Sequence, residues 1–200
     1  MIIFKNLLED HPFIKLKKKY DKALNYDQQS IEAMAVSTID QNKNKVNSRF
    51  VNAKFIIKDE IIFFSNYESV KAKDIESNNS VSCLFYWNSI KTQIRIKGFI
   101  NKSDPLFCDN YFKTRDHKKN SIAISSEQSK KILSYDDVLK KYESTLSKDK
   151  EYLSSRPSYW GGYSIKPQYI EFWEGNDSRI NKRKIYEINN GRWDKYFLQP

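Results

Sequence analysis

Apolar positions recur at Phe13, Leu16, Tyr20 and Leu24, the spacing of one helix face, so the chain is read as opening with an amphipathic helix over about residues 12–25. A period of two then takes over. "EAMAVSTID", "NSRFVNAKFIIK" and "IIFFSN" read as consecutive antiparallel strands joined by the polar turns "DQNKNK" and "KDE". "ESVKAKDIESNN" reads as a short helix, with Asn66 or Ser69 available to cap it. "SVSCLFYW" and "KTQIRIKGFINK" form a further strand pair, in which Gln93, Arg95 and Lys97 share the face opposite Ile94 and Ile96. Asp104-Pro105 is a helix start, a capping oxygen followed by proline at the first helical position. That helix carries Tyr111 and runs out into "KTRDHKKN", read as a polar loop. Ser134 and Asp137 have the spacing of a capping box, opening a helix through Val138, Tyr142 and Leu146. "RPSYWGG" breaks the chain, and "YSIKPQYIEFW", "SRINKRKIYEI" and "GRWDKYFL" end it as three strands. Many strands with helices between them, without regular βαβ alternation, predict a mainly β fold with helices (α+β). The expected architecture is a closed antiparallel barrel in a single domain spanning residues 1–200.

Composition narrows the function more than the fold. The formal net charge is +10, but the charge is spread along the whole chain, which argues against a nucleic-acid face and suits a small anion such as a phosphate ester. No run approaches eighteen apolar residues, and the opening "MIIFKNLLEDHPF" lacks the small-residue site of a signal peptide. Cys83 and Cys108 lie in apolar contexts without metal or redox spacing, the pattern of a reduced, cytoplasmic protein.

The usual catalytic motifs are missing. There are two histidines, His11 and His117, and no G-x-S-x-G, G-x-G-x-x-G or P-loop pattern; potential metal ligands are not clustered. A cofactor enzyme stays open, because there the cofactor carries the chemistry. What remains is cations set among aromatics. Arg49 and Lys54 lie on one strand; Ser65, Ser69 and Lys71 lie at a strand-to-helix junction; Gln128 and Ser129 lie in "SEQSKK". Beyond Trp173, Arg179, Asn181 and Arg183 alternate so as to share a face, which calls for something electron-rich beside them.

"SRFVNAKF", "FFSNYESVKAKDIESNNSVSCLFYW", "YFKTR", "EQS", "WGGYSIKPQYIEFWEG" and "SRINKR", in this order and spacing, resemble the pyridoxamine 5′-phosphate oxidase family from about residue 31 to the end. The resemblance implies a homodimer of split β-barrels of the FMN-binding type. Its usual members oxidise pyridoxamine or pyridoxine 5′-phosphate to pyridoxal 5′-phosphate, passing electrons to FMN and then to O2. By the same resemblance Arg49, Ser65 and Lys71 would hold the FMN phosphate with Ser129 nearby, and Phe64 stands in the cofactor segment. Gln93, Gln128, Trp173 and Arg183 would surround the ring system or ribityl chain. Lys54, Tyr111 and Arg115 would grip the substrate phosphate, Arg179 would lie against the substrate ring, and Arg179 and Asn181 would be the catalytic residues. Arg49 and Lys54 point to opposite faces of a regular strand, so a bulge or a two-sided cleft is required.

Departures from the family pattern gather at the substrate end. Val70 replaces a basic residue before Lys71, Phe64 a common tyrosine, and Lys119 an expected serine. The family's R-[LM]-H-D-R reads Arg179-Ile180-Asn181-Lys182-Arg183. The N-terminal arginine-and-tyrosine segment is not recognisable. An FMN oxidoreductase acting on another substrate, as phenazine-pathway relatives do, and a non-catalytic flavin-binding protein are therefore the alternatives.

Overall fold

The computed structural model describes residues 1–200. In chain order the strands are β1 (Ile3–Lys5), β2 (Ala33–Asp40), β3 (Lys45–Ile57), β4 (Glu60–Asn66), β5 (Ser80–Trp87), β6 (Thr92–Lys102), β7 (Trp160–Glu174), β8 (Lys182–Asn189) and β9 (Arg192–Leu198). The helices are α1 (Phe13–Asn25), α2 (Val70–Ser77), α3 (Pro105–Thr114), α4 (His117–Ser125), α5 (Tyr135–Leu146) and α6 (Lys150–Ser154). β2 pairs with β3 and β5, β4 with β3 and β7, and β6 with β5 and β7, all antiparallel, which closes a six-stranded barrel. Closure depends on the length of β7. Its first half, from Trp160 to Ile165, pairs with β4, and its second half, Tyr169–Glu174, pairs with β8 while staying paired with β6. The bend falls at the β6 irregularity after Lys97, where a side chain on Gly98 would lie 2.3 Å from the Lys166 carbonyl oxygen.

The alternation read from the sequence is the alternation of burial. Ile94 and Ile96 face the core beside Phe85, Trp87, Phe63 and Phe172, while Gln93, Arg95 and Lys97 face outward. α1 covers one end of the barrel with Phe13, Leu16 and Tyr20; Ala23, rather than the exposed Leu24, completes its buried face. Trp87 donates its indole N–H to the Ile31 carbonyl at 3.0 Å, so the ring's polar atom is satisfied inside the core. No helix is long and apolar enough to cross a membrane.

Four local expectations are corrected. The polar stretch after α3 is helical from His117 onward, because Asp116 accepts from the Lys118 amide and buried Asn120 donates to the Phe112 and Leu153 carbonyls. The break at "RPSYWGG" ends sooner, since Trp160, Gly161 and Gly162 already pair with Asn66, Ser65 and Phe64. β8 starts at Lys182, not at Arg179, whose φ of 62° lies in the left-handed region. At α5, Ser134 caps by accepting from the Asp136 amide. β1 and α6, three and five residues long, are too short to show a period and were not anticipated.

Candidate active site

The β4–α2 junction builds the first part of the site. The Asn66 side chain turns the loop by accepting from the Glu68 amide at 2.6 Å. Ser69 is the N-cap residue, yet its hydroxyl donates to the Asn66 carbonyl and accepts from Lys71 Nζ at 2.9 Å instead of capping. Lys71 Nζ also donates to Ser65 Oγ at 2.8 Å and to Gln128 Oε1 at 3.4 Å. All three partners are neutral. Burial, with the Arg49 charge adding to it, pulls the Lys71 ammonium down to about 8. Arg49, by contrast, has a counter-charge. It donates to Thr38 Oγ1 at 2.6 Å and lies 3.6 Å from the buried Asp74 carboxylate, which also accepts from Thr38 and Asn47. The Lys71 charge therefore has no partner in its own chain.

The second part rests on a β-bulge. Ala53 pairs with Phe63 and Phe55 with Ile62, leaving Lys54 as the extra residue of β3. The shift brings Lys54 and Arg49 to the same cleft, as the sequence required. Lys54 is only loosely held, 3.8 Å from Glu32. Arg115, at the end of α3, lies 4.4 Å above the Trp160 ring. Its Nη2 donates to the Lys119 carbonyl at 3.3 Å, while its buried Nη1 has no partner. Trp160 stacks on Phe64 at 5.1 Å, and Phe64 on Tyr111 at 4.1 Å. The resulting cleft of about 670 Å³ has basic groups and an aromatic wall; Asp116, its one acidic lining residue, is turned to the α4 N-terminus. A partnerless cation and an orphaned guanidinium nitrogen both fit anionic ligands.

The cleft thus gathers Arg49, Lys54, Phe64, Ser65, Lys71, Tyr111, Arg115 and Gln128. Ser129, with φ at 74°, lines an adjoining hollow together with Gln128. Gln93, Trp173 and Arg183 do not line the cleft; they form a cross-strand row on the outer face of β6, β7 and β8. The expected common face of Arg179, Asn181 and Arg183 is not formed. Arg179 sits in a turn, and Asn181 accepts from the Asn176 amide at 3.1 Å to close that turn. Within its own chain, the electron-rich partner of Arg183 is Glu171, whose carboxylate accepts from Nε at 2.6 Å.

Sequence reading missed Trp160, taken as part of the chain break, and the Thr38–Asp74 support of Arg49. A signal for the latter exists: Thr38 is the polar member of the inward set Met34, Val36 and Thr38 on β2.

A closed antiparallel barrel with an anion-suited, aromatic-walled cleft defines a split-barrel protein. Residues 16–157 match the family model described as pyridoxamine 5′-phosphate oxidase, and residues 160–200 match the pyridoxine 5′-phosphate oxidase C-terminal dimerisation region. The chain belongs to the pyridoxamine 5′-phosphate oxidase family, an enzyme family of flavin-binding oxidoreductases. It is 37% identical over 169 residues to the pyridoxine/pyridoxamine 5′-phosphate oxidase of Leptospira biflexa, covering 84% of this chain and 79% of that protein. It is 34% identical over 195 residues to the pyridoxine/pyridoxamine 5′-phosphate oxidase 2 of Hydrogenovibrio crunogenus, covering 98% of this chain and 91% of the relative. Among solved structures, PhzG from Burkholderia lata 383, in complex with tetrahydrophenazine-1-carboxylic acid, superposes with a TM-score of 0.89. At 23% identity, over 96% of this chain and 93% of that one, this likeness concerns the fold.

Proposed function

We propose that this chain is an FMN-dependent oxidase converting pyridoxine or pyridoxamine 5′-phosphate to pyridoxal 5′-phosphate, with O2 as electron acceptor. The observation that carries the reading is the coexistence, in one aromatic-walled cleft, of the partnerless Lys71 charge and the orphaned Arg115 nitrogen. The cofactor and the substrate of this reaction each bring one phosphate dianion. Lys71, Arg49 and Ser65 would hold the FMN phosphate, with Gln128 and Ser129 beside it. Lys54, Tyr111 and Arg115 would hold the substrate phosphate, and Lys119 adds a further cation at the cleft. In a homodimer the Gln93–Trp173–Arg183 row of one protomer would close the cleft of the other around the flavin ring. FMN, when bound, would supply the acceptor for the two electrons released as the 4′-alcohol becomes an aldehyde, or as the 4′-amine becomes an aldehyde with uptake of water and release of ammonia, and O2, reduced to peroxide, would reoxidise it. The protein's part is to orient both anions and to exclude water from the aromatic wall.

One observation favours a second reading. The Asn181 side chain is occupied by its own turn and cannot carry charge or a proton near neutral pH, as a histidine there could. A relative acting on another substrate, of the phenazine-pathway kind, would keep the cofactor end of the cleft and alter this end. The two readings separate in one assay: FMN-loaded protein, with peroxide and aldehyde followed on pyridoxine phosphate, on pyridoxamine phosphate and on the unphosphorylated vitamers. Turnover restricted to the phosphorylated forms supports the first reading. Equal rates with and without the phosphate would remove the assignment of Lys54, Tyr111 and Arg115.

A further inference from the structure

The outer-face row contains a buried carboxylate with no role so far. Glu171 lies on β7 two residues before Trp173, on the same face, directly opposite Arg95 of β6. Its side chain is 1% exposed. Oε1 accepts from Arg183 Nε at 2.6 Å; Oε2 accepts from Arg95 Nη1 at 3.0 Å and from the Tyr169 hydroxyl at 3.0 Å. Burial opposes ionisation here, but the donors Arg183 and Tyr169 and the charges of both arginines together outweigh it, so the carboxyl lies below its ordinary range. Arg183 is held a second time, by Nη1 to the Gln199 carbonyl at 3.2 Å. Its remaining nitrogen, Nη2, is given no partner by the chain, and the side chain is 24% exposed. An arginine otherwise carries about 2 kcal/mol of rotamer freedom. Here two of its three nitrogens are fixed, one of them by a buried anion.

We propose that Glu171 is the positioning residue of the flavin site: it fixes the Arg183 guanidinium so that the free Nη2 edge is presented to the cofactor ring. Arg95 serves as the second counter-charge that keeps Glu171 ionised while buried. The inference rests on the reading in which Arg183 meets the flavin, and it assigns a function to a residue that touches neither cofactor nor substrate.

The test is a double-mutant cycle on the FMN dissociation constant, read from quenching of flavin fluorescence in the full-length protein, with melting temperatures measured alongside. Glu171→Gln is expected to raise the constant about tenfold, and Arg183→Ala by at least as much. If Glu171 acts through Arg183, Glu171→Gln adds nothing further in the Arg183→Ala background. A purely structural carboxylate would weaken binding equally in both backgrounds, and that additive result overturns the proposal, as does an unchanged constant in Glu171→Gln. Should Glu171→Gln fail to fold with two arginines left facing each other, the charge-balanced pair Glu171→Gln/Arg95→Gln is measured in the same cycle with the same expectation. Wild-type protein that takes up no FMN overturns the functional reading and this inference with it. FMN bound equally well by wild type and Arg183→Ala overturns the inference alone.

Discussion

At Lys71 Nζ three neutral oxygens, from Ser65, Ser69 and Gln128, stand around a charge that burial disfavours. The sign of the consequence follows from linkage. The ammonium titrates at about 8 in the folded chain and at its ordinary 10.5 when unfolded. Between these values the unfolded chain holds a proton that the folded chain has lost, so this group makes stability rise with pH across that window. Below pH 8 the whole penalty is present, on the order of 3 kcal/mol for a lowering from 10.5 to about 8. A bound dianion removes the penalty. Lys71→Met is therefore expected to raise the melting temperature of the cofactor-free protein by several degrees at pH 7 and to abolish its stabilisation by added FMN; paired thermal melts check both. A variant that melts lower and still gains stability from FMN would disprove the assignment. Asn181 gives a second outcome at this scale. Asn181→His forfeits one exposed hydrogen bond of the turn, worth about 1 kcal/mol. It restores a proton-carrying group, so kcat/KM for a phosphorylated vitamer is expected to rise severalfold. An unchanged or abolished rate would mean that Asn181 suits a different substrate.

Among the elements, β3 shows how much the sequence carried. Arg49 and Lys54 were recognisable as a pair that a regular strand would separate, and the bulge at Lys54 is the device that reunites them. The β4–α2 junction was legible for the same reason: small polar residues between a strand period and a helical period mark where amides and hydroxyls meet. The Arg179–Asn181 face was not legible. Its alternation is real in the sequence, but the turn begun at Gly175 runs on through Asn181, and a left-handed φ leaves no mark on hydrophobic periodicity. α4 was hidden for a related reason, its polar first turn being organised by one capping carboxylate. The segment before α1 also answers to pH. His11 is buried edge-on against Trp193 of β9, and burial lowers its imidazole to about 4 despite Asp59. The folded chain holds this ring neutral while the unfolded chain protonates at its usual 6.5, so stability contributed here is full above pH 6.5 and is lost as pH falls toward 4. Denaturant titrations between pH 7 and pH 4 are expected to show this slope in wild type and a flatter one in His11→Phe. Identical slopes would place the acid sensitivity elsewhere.

On the whole-molecule scale, the Gln93–Trp173–Arg183 row and a set of exposed apolar side chains share one surface. Tyr86 pairs with Gln93, Gln93 with Trp173 and Trp173 with Arg183, so the row continues into an aromatic ring that is 58% exposed. Phe50, 76% exposed, lies two strands from Leu84 across Ala35 on the same outer face and also lines the cleft. A surface of this composition calls for a partner. Residues 160–200, the part that matches the dimerisation region, supply Trp173 and Arg183 to it. Phe50→Glu is accordingly expected to shift the protein to monomers and to weaken flavin retention at the same time, seen as loss of the flavin absorbance from the protein peak in size-exclusion chromatography. A monomer that keeps its flavin would break the link between assembly and site.

The most direct measurement is turnover by the purified, FMN-loaded dimer with pyridoxine 5′-phosphate and with pyridoxamine 5′-phosphate, following peroxide and aldehyde together. Slow but measurable formation of both products, competed by inorganic phosphate and raised in KM by Arg115→Ala, is the expected result. Protein that holds FMN in the dimer yet forms neither product from either substrate would contradict the proposed reaction.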